Sequence, residues 1–84
     1  MVKINSILSL QIQNINDNSS TYVYRWEYSS TGNRWDIIPK AVTISEQGLV
    51  TTTFSKIGYY RLIIATKNGT NPTEIIGPTI VVWS

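Results

Sequence analysis

The chain predicts an all-β fold: one antiparallel sandwich of about seven or eight short strands, with no disulfide. Three observations carry this. The run Gly58-Tyr59-Tyr60-Arg61-Leu62-Ile63-Ile64 alternates, so that Tyr60, Leu62 and Ile64 share one face and Tyr59, Arg61 and Ile63 the other. The run Tyr22-Val23-Tyr24-Arg25-Trp26-Glu27-Tyr28 is rich in the aromatic residues that favour strands. No window sustains a helical period.

In chain order, Val2 to Ile4 reads as a short first strand, and Leu8, Leu10 and Ile12 alternate with polar residues as a half-buried second. Gln13 to Ser20 has the Asn, Asp and Ser content of a polar loop. The third strand runs from Thr21 to Tyr28. Ser29-Ser30-Thr31-Gly32 is a hairpin turn with Gly32 suited to a positive φ, and Asn33 to Ile38 returns as the fourth strand until Pro39 ends it. Val42 and Ile44 mark a short strand, and Leu49 to Ser55 another that carries Phe54. After the Lys56-Ile57-Gly58 turn comes Tyr59 to Lys67, then a loop over Asn68 to Pro72. Glu74 to Trp83 is the last strand, where Pro78 demands a bend or an unpaired edge because it cannot donate to a ladder.

Eighty-four residues make one domain, residues 1–84, which buries about 60–65% of its unfolded surface and has a thin stability margin. With no Cys and no His, thiol chemistry is excluded, and neither a disulfide nor a metal staple is expected. The net charge of +2 comes from seven cations spread along the chain beside acids, so no nucleic-acid partner is expected. Met1 to Leu8 lacks a cationic lead into an apolar run, and nothing approaches a membrane span, so neither a signal peptide nor a membrane partner is expected.

Core anchors are expected at Trp26, Trp35, Phe54, Tyr60 and Leu62. A four-residue hairpin loop pairs Tyr28 with Asn33, Glu27 with Arg34, Trp26 with Trp35 and Arg25 with Asp36, placing both Trp inside and two ion pairs outside. The outer face then offers Val23, Arg25, Arg34, Ile38, Tyr59, Arg61 and Ile63 as candidate partner contacts, and charges introduced at Tyr59 or Ile63 are expected to leave the fold intact. Trp26, Tyr24 and Tyr60 read as core rather than as a sugar platform, leaving weak glycan binding as a secondary expectation. The five carboxylates lie far apart, and of these Glu27 and Asp36 are the pair that could meet; without a His or Cys partner, no enzyme and no cofactor are expected. Asn14 to Asn18 offers oxygen ligands but one carboxylate, fewer than strong calcium loops use. The glycosylation sequons at Asn18 and Asn68 read as chance.

Gly58, Tyr60 and Leu62 stand where strand F of the immunoglobulin superfamily often reads Gly-x-Tyr-x-Cys, and Trp26 stands as its strand C tryptophan. The chain resembles that superfamily, with Leu10 or Ile12 at the partner position on strand B. The segment from Tyr24 through Ile37 resembles still more the Ig-like and PKD-like domains of bacterial surface proteins and phage virions, though the Cys pair and the long acidic loop of many PKD domains are missing. The resemblance implies a non-enzymatic structural or adhesive module. The expected setting is a virion, as a capsid or tail decoration protein of a bacterial virus docked on a protein lattice and assembled in the host cytoplasm; native-looking Met1 and the one-domain length support it. The alternative is an excised spacer or a carbohydrate- or protein-binding domain of a larger extracellular or cell-surface bacterial protein.

Overall fold

The computed structural model describes residues 2–12, 22–66 and 74–84. Its regular elements are all strands: β1 (Val2–Lys3), β2 (Leu8–Gln11), β3 (Tyr22–Ser29), β4 (Asp36–Ile38), β5 (Leu49–Thr52), β6 (Gly58–Thr66), β7 (Glu74–Ile76) and β8 (Ile80–Trp83). They form two sheets. The larger runs β1-β8-β6-β3-β4, with β7 also on β6, and the smaller is the β2-β5 pair. Every pairing is antiparallel except β1 with β8. The expected polar loop, the Asn14 to Asn18 ligand set and both sequons lie outside the described residues.

The central pair, β3 and β6, sets the geometry. Its register places Trp26 opposite Leu62 and Tyr28 opposite Tyr60. Side chains alternate across a strand, so these residues face inward together, meeting Val50 of β5 and Phe54 just beyond it. Trp26, fully buried at 0% exposure, meets the Phe54 ring edge-on with centroids 5.1 Å apart. Phe54 stacks on Tyr60 at 3.8 Å. Ile80 and Val82 of β8 complete the buried cluster.

Two tyrosine hydroxyls clamp the turn before β6. Tyr60 donates to the Lys56 carbonyl at 2.7 Å and Tyr28 to the Ile57 carbonyl at 3.0 Å. Gly58 closes that turn at φ +148, and a Cβ there would land on the Tyr28 ring; no other residue fits both demands. Tyr60→Phe keeps the ring stack but leaves the Lys56 carbonyl without this donor. Its expected cost is about 1–2 kcal/mol in chemical denaturation, with an unchanged slope.

The last strand divides as the proline required. Ile63 pairs with Ile76, yet Tyr60 pairs with Ile80, so Gly77, Pro78 and Thr79 oppose only Arg61 and Leu62. This is a bulge of one extra residue. The Gly77 amide still donates to the Leu62 carbonyl at 2.9 Å, an approach that a Cβ on Gly77 would crowd at 3.0 Å.

The β3–β4 hairpin departs from expectation. Trp26 pairs with Ile38, Glu27 with Ile37 and Tyr28 with Asp36. The shift of three residues is odd, so every side chain of β4 changes face. Ile38 packs against the core instead of joining the outer surface, and Trp35 is no core anchor. The cause is Ser29. It stays in β3, paired with Tyr59, while its buried hydroxyl accepts from the Thr31 and Gly32 amides, lengthening the loop. The expected Val42–Ile44 strand reduces to one bridge from Ile44 to Val50.

Candidate functional site

The outer face of the large sheet, turned away from the core, gathers the chain's charge chemistry. Register places Val23, Arg25, Glu27 and Ser29 of β3 there, beside Tyr59, Arg61 and Ile63 of β6. Ile37 of β4, Glu74 and Ile76 of β7, and Trp83 of β8 lie on the same side.

Glu27 organises this face. Its side chain is 8% exposed, and each carboxylate oxygen takes a different guanidinium: Arg61 Nε donates to Oε1 at 2.8 Å and Arg25 Nε to Oε2 at 3.0 Å. Burial pushes the carboxyl pKa up, but the hydrogen bonds from Arg61 and Arg25, reinforced by their charges, leave it below the ordinary value. Arg25 also donates from Nη2 to Glu74 at 3.0 Å. Burial lowers the Arg25 pKa, and the bonds to Glu27 and Glu74 raise it overall.

That second bond spans two inter-strand spacings, about 9–10 Å, because β6 lies between β3 and β7. Arg25 therefore crosses over β6 at Ile63, its cross-strand neighbour. This roof explains why Ile63 is 1% exposed although it lies outside the core cluster. The expectation that Ile63 is a surface contact is overturned, and Ile63→Lys would bury a charge instead of leaving the fold intact.

Trp35 forms a second cover. Its ring sits 4.2 Å from the Arg61 guanidinium carbon, a stacked cation–π arrangement. The same loop brings Gly32 beside the Tyr59 ring, where a Cβ would lie in van der Waals contact with the ring carbons at 3.8 Å. Neither expected ion pair forms: Glu27 takes Arg25 and Arg61 instead of Arg34, and Arg25 takes Glu27 and Glu74 instead of Asp36.

Of the candidate contacts, Val23 and Arg34 are exposed, Arg25, Tyr59 and Arg61 are half-covered, and Ile38 and Ile63 are withdrawn. The sequence reading missed Ile37, 67% exposed, together with Ile76 and Trp83. The residue count between Ser29 and Pro39 allows either hairpin register, whereas Ile76 was readable from the break that Pro78 imposes.

Chemically the face suits binding better than proton transfer. A general acid needs a raised pKa, and Glu27 is held ionised. Asp36 pairs with Tyr28 on the opposite side of the sheet, so the two carboxylates do not meet. Among the described residues no group of three or more His, Cys, Asp or Glu could hold a metal ion. Comparison with family models, with curated proteins and with solved structures finds no match.

Proposed function

We propose that the chain is a non-enzymatic Ig-like module that works by docking on a protein surface through the outer face of its large sheet. The observation carrying this reading is a set of exposed apolar side chains, Val23, Ile37, Ile76 and Trp83, around a hydrogen-bonded charge network. Apolar contacts combined with fixed polar geometry are what a specific protein interface needs.

The immunoglobulin-like assignment is supported by three features together. The five-strand path β1-β8-β6-β3-β4 opposes a β2-β5 pair, Trp26 is buried, and the Tyr60 hydroxyl reaches the backbone four residues upstream. A capsid or tail lattice is the partner setting we favour, because a cysteine-free fold matures in a reducing cytoplasm without oxidative steps. Exposed Trp83 supports a second reading, glycan binding by ring stacking, which a glycan array would test.

Ile37→Thr with Ile76→Thr keeps β-branched residues on both strands and removes apolar contact. The double variant is expected to melt within a few degrees of the parent and to bind its partner at least about tenfold more weakly. Unchanged binding in a quantitative co-assembly assay would move the contact to another surface.

A further inference from the structure

We infer that the Nη edge of Arg61 is the point at which this face receives a carboxylate from an acidic protein partner. The inference rests on the docking reading above and deepens it by naming the partner's chemistry. Of the two guanidinia on Glu27, Arg25 spends both an Nε and an Nη bond, on Glu27 and Glu74. Arg61 spends only Nε. Among the described residues neither Nη atom of Arg61 has an acceptor, while Glu27 fixes its inner edge and Trp35 stacks on it. A planar guanidinium held in place with one edge open is preorganised for paired hydrogen bonds to a carboxylate.

Charge distribution points the same way. Among the described residues, register places Lys3, Arg25 and Arg61 on this face against Glu27 and Glu74. A partner complementary to this face is therefore acidic.

The test titrates the 15N-labelled chain with acetyl-Gly-Glu-Gly-amide, with its Gln counterpart, and with sodium phosphate, all at constant ionic strength. The Glu peptide is expected to give saturable shifts at the Arg61 Nε–H and Trp35 Nε1–H resonances, and the Gln peptide none. Arg61→Lys keeps the charge but not the fork and should weaken the response about tenfold, whereas Arg34→Gln should leave it unchanged. Equal responses to the Glu and Gln peptides, or tighter saturation by phosphate, would overturn the carboxylate assignment. Should Arg61→Lys fail to fold, the comparison of peptides on the parent chain still decides. The Ile37→Thr, Ile76→Thr double variant separates the two proposals: peptide saturation that survives in it while co-assembly is lost supports both. Co-assembly lost without any peptide saturation in the parent keeps the docking reading and removes this one.

Discussion

Trp26→Ala is expected to leave the isolated chain largely unfolded at 25 °C. Trp26 is fully buried, faces Leu62 and Ile38 across its two ladders, and meets Phe54 edge-on. Removing a buried large aromatic costs about 3–5 kcal/mol, comparable to the whole stability of many small domains. Phe54 would lose its partner as well, loosening its stack on Tyr60. The Trp26 indole N–H has no acceptor among the described residues, so Trp26→Phe forfeits no hydrogen bond to them and should recover much of the loss. Urea denaturation followed by circular dichroism measures both. A parent-like midpoint for Trp26→Ala would show that this side chain does not hold the sheets together.

Glu27→Gln is expected to cost about 1.5–3 kcal/mol at neutral pH, the scale of hydrogen bonds to a charged group. The amide oxygen can accept from one arginine, but the opposing NH2 repels the other, and two half-covered cations lose their common anion. The loss should spread to Ile63, because Arg25 would no longer be anchored at Glu27 as it crosses β6. The pH dependence follows from the carboxyl pKa, which is lower in the folded chain than its ordinary value. A depressed folded pKa means that the unfolded chain binds this proton more readily. The stabilisation is thus fully present above the unfolded value and is lost as pH falls through the folded one. Across that acidic window the parent should lose stability more steeply than Glu27→Gln, and the two curves should converge at the acid end. Parallel curves would remove Glu27 from the acid response.

The two central strands were readable from sequence for a simple reason. Alternation with period two is a local property, so Tyr60, Leu62 and Ile64 had to share a face wherever the strand went. The hydroxyl of Tyr60, the turn at Gly58 and the break at Pro78 follow equally from residues near in sequence. The β3–β4 register was not readable. Ser29 could end the strand and begin a tight turn, or continue pairing with Tyr59 and cap the loop amides with its hydroxyl. Only the presence of β6 alongside makes the second arrangement the better one, and it moves Trp35 from the core to the face of Arg61.

The interaction face divides in the same way. Sequence alone determined that Arg25 and Glu27 lie on one side of their strand and Tyr59 and Arg61 on one side of theirs. It suggested charge pairs across the nearest hairpin, where separation along the chain is shortest. Tertiary structure decided otherwise, because a buried carboxylate with two acceptor oxygens is best satisfied by two donors, and β6 supplied the second at Arg61 while β7 supplied Glu74 to Arg25. Such choices depend on which strands become neighbours, a relation set by packing of the whole sheet and carried by no single stretch of the chain.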